Sequence, residues 1–380
     1  MSANKQRKNR EDKSKKKKKS APRPLKKAKP GTMKELANHL GLSPTTVSFV
    51  INRAPIANSI PQKTKDQIFA AARQFGYRPN FFARSLRTRR SFTIGVMVPE
   101  VSEGYAATVL SGVEDHLLQI GYFYFVVSHR HRSDLIEEYA ELFHDRGVDG
   151  LIAVDTPWKR EFTAPVVTIS GPKGSNGVTN IALNHQCAAE LAIRHLLELG
   201  HRKIALIKGQ EFSSDTEIRW RSIMEVATRL GTPIAEKLTV QMEGDSPSPE
   251  VGYQATKKLL ASKQAFTALF AFNDVSAIGA IQALRESGAQ VPRDVSVMGF
   301  DDIQAAAFQN PQLTTIRQPL RKMGEIAAET VLRQIGQPAV ELPRQVIVEP
   351  ELIVRETTGR VKEQKILLGE RKSSTQPKEG

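Results

Sequence analysis

The chain has 380 residues, of which 40% are hydrophobic, with a formal net charge of +15 and a single cysteine, Cys187. That length is enough for two or three folding units, each with its own core. One cysteine excludes an intramolecular disulfide and a cysteine-based metal cluster. No apolar run approaches the ~20 residues of a membrane-spanning helix.

The charge is unevenly placed. Residues 1–90 hold 24 Lys/Arg against 4 Asp/Glu, a net of +20; the remainder holds 31 against 36, a net of −5. Basicity confined to one end points to an anionic polymer as the partner of that end, nucleic acid before a membrane surface. No apolar stretch of the kind found in secretion signals follows the charged start, so a cytoplasmic location is expected.

Residues 1–30, with 14 Lys/Arg including Lys15–Lys19, carry too few large apolar side chains to offset the entropy of ordering and read as a disordered basic tail. Residues 31–79 read as three short helices. Thr32 with Glu35 forms a capping box that starts the first. Leu36, Ala37 and Leu40 share a face, and Gly41 ends it. Ser43 caps a second helix with Pro44 at its first position. Val47, Val50 and Ile51 form its buried stripe, leaving Thr45, Thr46, Ser48, Phe49 and Asn52 outward. Two helices joined by so short a turn make a helix-turn-helix, and a polar outer face without salt bridges suits DNA better than a plain helical hairpin does. A third helix covers about 61–75, with Ile68, Ala71, Ala72 and Phe75 inward, stopped by Gly76-Tyr77-Arg78-Pro79. The stretch NFFARSLRTRR, 80–90, puts Phe81, Phe82 and Leu86 among four arginines.

From 92 onward the pattern alternates. Strand-like runs lie at 93–98, 122–127, 150–154, 166–169, 204–207, 267–271 and 295–298. Amphipathic helical runs lie between and after them at about 106–119, 134–146, 185–199, 218–230, 249–261, 274–287 and 319–334. This is the βα alternation of parallel doubly wound sheets. So many units require two sheets or a barrel.

The pieces MKELANHLGLSPTTVSFVIN, GYRPNFFARSL, IGVMVP, GVDGLIAV, HLLELGHRKIALI, AFNDVSAIGAIQALRESGAQVPRDVSVMGFDD and PQLTTIRQPLRKMGEIAAE, in that order over about 32–355, resemble the lactose-repressor (LacI/GalR) family of bacterial transcription regulators. The resemblance implies an all-α helix-turn-helix head plus an α/β core of two doubly wound parallel-sheet subdomains of the periplasmic-binding-protein-like type, joined by three crossovers. It implies a DNA-binding domain at 31–79, a hinge helix and linker at 80–91, an effector-binding and dimerisation core at 92–355 and a loose tail at 356–380.

The partners implied are a double-stranded DNA operator, a second copy of the chain and a small-molecule effector, a sugar or sugar derivative. On the family's pattern Pro44, Thr45 and Phe49 read bases, while Thr32, Ser43, Thr46, Ser48, Asn52, Tyr77 and Asn80 position the backbone. In the hinge, Ala83 faces the minor groove, Leu86 wedges between base pairs and Arg87 meets the groove or its phosphates. Pro44 and Phe49 depart from the usual polar residues and can meet only apolar groups such as thymine methyls.

Ligands of open α/β sheets lie beyond the carboxyl ends of strands. The loops there are Pro99–Tyr105, Ser128–Asp134, Asp155–Trp158, the stretch up to Arg219, Phe272–Asp274 and Gly299–Asp302. By the resemblance Arg219, Asn273 and Asp301 clasp the effector, with Trp158 or Phe272 stacking on it; capping of the following helices is the plainer role of Asn273 and Asp301. Ser246 stands near where relatives carry a stacking aromatic. His129, Arg130, His131 and Arg132 make either a solvated basic loop or a site for an anionic effector. No phosphate-binding GxxxxGK[ST] loop, GxSxG elbow or HExxH pair is present, so no catalytic residue, metal or cofactor is expected. The alternatives, an enzyme or a solute-binding protein on the same core, lack a use for the basic head.

Overall fold

The computed structural model describes residues 31–52, 55–77, 85, 88, 90–102, 104–172, 178–245 and 248–361. They fall into two compact units, one ending at residue 87 and one beginning at Thr88.

In the first unit, helices α1 (Met33–Leu40), α2 (Pro44–Ile51) and α3 (Gln62–Gln74) enclose Leu36, Ala37, Val47, Val50, Ile68, Ala71 and Ala72. The local signals act as expected. Thr32 Oγ1 accepts from Glu35 N at 3.2 Å while Glu35 Oε2 accepts from Thr32 N at 2.7 Å. Gly41 ends α1 at φ 65°, a left-handed conformation that glycine adopts without steric cost. Ser43 Oγ then accepts from Thr46 N at 3.0 Å to open α2. A short 3-10 helix, Pro55–Ser59, was not anticipated. It packs on α2 and adds Ala57 to the same core.

The second unit is two six-stranded sheets, not a barrel. The first has the order β11-β5-β4-β3-β1-β2, with β1 (Thr93–Val98), β2 (Phe123–Ser128), β3 (Gly150–Val154), β4 (Val166–Ile169), β5 (Thr179–Leu183) and β11 (Gln345–Val348), all parallel. The second has the order β12-β10-β9-β8-β6-β7, with β6 (Ile204–Lys208), β7 (Thr239–Gln241), β8 (Ala268–Ala271), β9 (Ser296–Asp301), β10 (Thr314–Arg317) and β12 (Glu351–Ile353). Only β12 runs antiparallel, against β10. Strands β1, β3 and β4 are buried along their whole length, which is why they read as continuous apolar runs.

Helices cover both faces. On β1, Ile94, Val96 and Val98 point toward α4 (Gly104–Ile120) and α11 (Leu320–Gly336), while Met97 joins Phe143 of α5 (Ser133–Asp145) on the other face. Gly112 and Gly324 let α4 and α11 touch backbone to backbone; a Cβ on either would overlap a carbonyl of the other helix. The second sheet lies between α6 (His185–Glu198) with α7 (Thr216–Arg229) and α8 (Pro249–Ala261) with α9 (Asp274–Glu286), and the short α10 (Gln304–Phe308) follows β9. The chain passes from one lobe to the other at Asn184, at Gln318-Pro319 and at Glu349-Pro350. Among the described residues no helix is long and apolar enough to cross a membrane.

Candidate functional site

Two surfaces carry polar groups that the fold itself does not consume. The first is the outer face of α2. Pro44 and Thr45 are exposed and Thr46 is half-buried, its hydroxyl 2.8 Å from Ser43 Oγ. The outward placement expected for the rest of this helix needs correction. Ser48 is only 7% exposed and accepts from Asn52 Nδ2 at 3.1 Å, so these two residues close the end of α2 on themselves. Phe49 and Tyr77 are half-buried and pack against the head core. The 3-10 helix beside α2 widens the buried stripe, which three-to-four spacing alone could not reveal. Thr32 is occupied by its capping box. Asn80, Ala83, Leu86 and Arg87 lie outside the described residues, as do residues 1–30 and Ser246.

The second surface is a cleft of about 110 Å³ between the two lobes. Its walls include Tyr105, His131 and Asp155 from the first lobe and Phe212, Asp215, Arg219, Phe272, Asn273 and Asp301 from the second. They lie at the carboxyl end of a strand, in the loop that follows it or in the first turn of the next helix, as the parallel architecture requires. Arg219 is 4% exposed, donates to the Phe272 carbonyl at 2.6 Å and to Asp215 Oδ2 at 3.3 Å. Its guanidinium lies between the rings of Phe300, 3.7 Å to the centroid, and Phe272, 4.4 Å. Asn273 caps α9 through Ser276, as the plainer reading expects, and also lines the cleft.

Asp301 closes β9 at φ 111° and is followed by Asp302 at φ 58°. Two consecutive non-glycine residues in this region persist only where surroundings over-determine them. They do: Gln318 Nε2 donates to Asp301 at 2.6 Å, and Arg355 and Arg317 grip Asp302 at 2.6 and 2.7 Å. Buried Asp274 adds a clamp, accepting from Ile303 N at 2.9 Å and Thr315 Oγ1 at 2.6 Å.

Burial pushes Asp301 up to about 7 although Arg219 and Gln318 act to lower it. Burial, reinforced by Asp215, pushes Asp155 up to about 6. Burial also works to raise Asp215, but His185, 3.3 Å away, and Arg219 outweigh it and hold that carboxyl below its usual value.

The lobes meet across this cleft. Asp155 Oδ1 accepts from Ser214 N at 2.9 Å and Ser213 Oγ at 3.4 Å, and the ring of His131 stacks on Phe212. Tyr105, Asp155, Phe212 and Asp215 were not singled out as site residues from the sequence, though all four fall within the loops expected there, Phe212 and Asp215 in the stretch before Arg219; His131 was noted only as part of the basic loop.

Two expectations fail. Trp158 does not line the cleft; it is 1% exposed and packs on Phe162 within the core built around Phe143. The basic loop does not form an anion site either. His129 is fully buried, held neutral by a pKa lowered to about 4 through burial and the neighbouring His131. Arg132 pairs with Asp134 in solvent, and only His131 of that loop lines the cleft. The carboxylates outnumber the cationic groups there, which disfavours an anionic occupant.

Residues 32–80 match the model of bacterial regulatory proteins of the lacI family, and residues 193–358 match a periplasmic binding protein-like domain. The chain is similar to the HTH-type transcriptional repressor PurR of Haemophilus influenzae, 32% identical over 87% of this chain and 99% of the relative. It is 31% identical to PurR of Yersinia pestis over 86% and 97% of the two chains. Among solved structures it is similar to the lac repressor dimer bound to operator and the anti-inducer ONPF, with a TM-score of 0.74 and 27% identity over 87% and 100% of the chains. It is also similar to the transcriptional regulator CelR in complex with cellobiose, with a TM-score of 0.64 and 26% identity over 86% and 99%.

Proposed function

The chain belongs to the lacI family of bacterial regulatory proteins, and from that premise we propose that it is an effector-responsive repressor that binds a palindromic operator as a homodimer. The observation that carries the effector half of this reading is the cleft itself. Its walls come from two lobes joined by three passages of the chain, and each lobe contributes polar groups to one space. A ligand there has differential contacts with the open and closed arrangements, which is what a population shift requires.

The head supplies the DNA half. Exposed Pro44 and Thr45 face the major groove, with Ser43 and Thr46 toward phosphates. Ser48 and Asn52 are placed instead as a brace for α2, and Phe49 contributes only the edge of a packed ring. The hinge roles of Ala83, Leu86 and Arg87, and the backbone role of Asn80, rest on the family pattern alone.

A space of about 110 Å³ suits a single small ring rather than a disaccharide. The second copy is placed against the exposed apolar face formed by Leu118, Ile120, Phe123, Phe125 and Val126, where β2 leaves a bare sheet edge.

The test is selection of bound sequences from random DNA with the full chain, followed by a salt titration. A palindromic site whose affinity falls steeply with salt is expected. Recovery of no common sequence, or of binding indifferent to salt, would overturn the regulator reading.

A further inference from the structure

The cleft lining carries more carboxyls than cationic groups. Asp155, Asp215 and Asp301 lie within electrostatic range of one another. Glu100 and Asp245 stand along the same walls. Against them the lining offers Arg219 and His131, and burial keeps His131 on the neutral side of its ordinary range.

Asp215 is compensated by Arg219 and His185. Asp155 and Asp301 have only a share of the same Arg219 charge and no ion pair of their own. Each accepts hydrogen bonds at Oδ1 only: Asp155 from Ser213 and Ser214, Asp301 from Gln318. Their second oxygens take no hydrogen bond among the described residues. Two carboxyls that line one cleft and share a single guanidinium are stabilised when hydrogen-bond donors or a positive charge arrive there.

A second, independent feature points to the same occupant. Arg219, with its side chain 5% exposed, has two of its nitrogens engaged, while its Nε has no hydrogen-bond partner. That buried donor on the cleft wall calls for an oxygen acceptor. Among the described residues no group of three or more His, Cys, Asp or Glu is arranged to hold a metal ion, so a bare inorganic cation does not answer the geometry.

We propose that the effector carries a protonated amine on a small hydroxylated frame, the amine facing Asp155 and Asp301 and an oxygen facing Arg219 Nε. This is the chemistry of a monomeric amino sugar, and it rests on the cleft being the effector site. The ring lies against the apolar wall of Ala106, Met242, Val251 and Val275, which a hydroxylated ring covers with its C–H face. An N-acetylated or hydroxyl counterpart has the same outline without the charge, so the comparison isolates the amine.

The experiment uses the full-length chain and three matched series: glucosamine, N-acetylglucosamine and glucose, then the same three forms of galactose and of mannose. Thermal midpoint and calorimetric affinity are read for each. At least one free amine is expected to raise the midpoint and to bind at least tenfold more tightly than both of its uncharged counterparts. Asp155→Asn and Asp301→Asn are each expected to erase that preference, the amine losing at least tenfold more affinity than its uncharged counterpart, and an unchanged far-ultraviolet circular dichroism spectrum shows that each variant is folded. Equal or tighter binding of an uncharged sugar overturns the amine and leaves the effector site standing. No response to any of the nine probes overturns both. A preference that survives both substitutions overturns the assignment to these carboxylates.

Discussion

The imidazole of His131 lies on the ring of Phe212, centroids 3.8 Å apart and planes 27° from parallel, and the two residues belong to different lobes. The stack therefore reports the separation of the lobes directly. An aromatic pair contributes about 0.5–1.5 kcal/mol beyond its buried area, so Phe212→Ala should shift the open-to-closed balance by roughly 2- to 12-fold. Faster amide hydrogen exchange in residues 210–216 and 129–132 is the expected readout. Unchanged exchange in both segments would mean that the Asp155–Ser214 contact alone holds the lobes.

Asp301 makes a second test through proton linkage. Its carboxyl is raised from 3.8 to about 7, first by burial. Between pH 4 and 7 the folded chain holds a proton there that the unfolded chain has lost, so this group's contribution to stability falls as pH rises. Asp155, raised to about 6, has the same sign. His129 has the opposite sign: its value is lowered to about 4, so its contribution is complete above pH 6.5 and is lost as pH falls toward 4. The whole-chain profile mixes these, and the difference between Asp301→Asn and the parent separates them. The variant should gain on the parent by an amount on the order of 2–4 kcal/mol between pH 4 and 7. A difference that stays flat or narrows in denaturant titrations across that range would show that Asp301 remains ionised throughout.

His129 illustrates how much of the site could be read from sequence. Its type and its neighbours suggested a basic loop, yet its Nδ1 accepts from His131 N at 3.1 Å and its Nε2 lies 3.1 Å from Thr156 Oγ1, whose hydroxyl donates to the Val154 carbonyl. Thr156 sits 27 positions away, and nothing local announces it. Arg219, Asn273 and Asp301 were legible through the family resemblance, and Phe272 as an aromatic just past an apolar strand run; all four line the cleft. Trp158 follows such a strand too, but the cavity that swallows it is made by α5. The strands that escaped notice, β5, β7, β10, β11 and β12, are short, and three of them lie at sheet edges, where exposure dilutes the apolar signal. The acidic character of the cleft was hidden because Asp155 and Asp215 become neighbours only when two lobes close.

Pro44 and Phe49 were expected to share a preference for thymine methyls, and the burial of α2 now divides them. Pro44 is exposed at the start of the helix, whereas the Phe49 ring is partly spent on the head core. Replacing thymine by deoxyuridine at the base that meets Pro44 removes one methyl, worth about 0.8 kcal/mol or roughly a fourfold loss of operator affinity. The same replacement opposite Phe49 should cost less. Equal losses at both positions, or none at either, would remove Pro44 from the reading surface.

The exposed apolar face on β2 allows the dimer to be tested apart from DNA chemistry. Phe123 is 59% exposed, and its ring lies 5.2 Å from that of Phe125, edge to face. Both stand on an edge strand, so a charge placed there meets solvent in a monomer and a desolvated partner face in a dimer. Phe125→Glu should therefore leave the fold intact and sediment as a monomer. With its two heads no longer linked, operator affinity should drop by about 10²–10⁴, while affinity for a single half-site stays unchanged. A variant that remains dimeric by sedimentation would move the interface elsewhere on the core. One that is monomeric yet binds the full operator as tightly as the parent would show that the two heads do not act together.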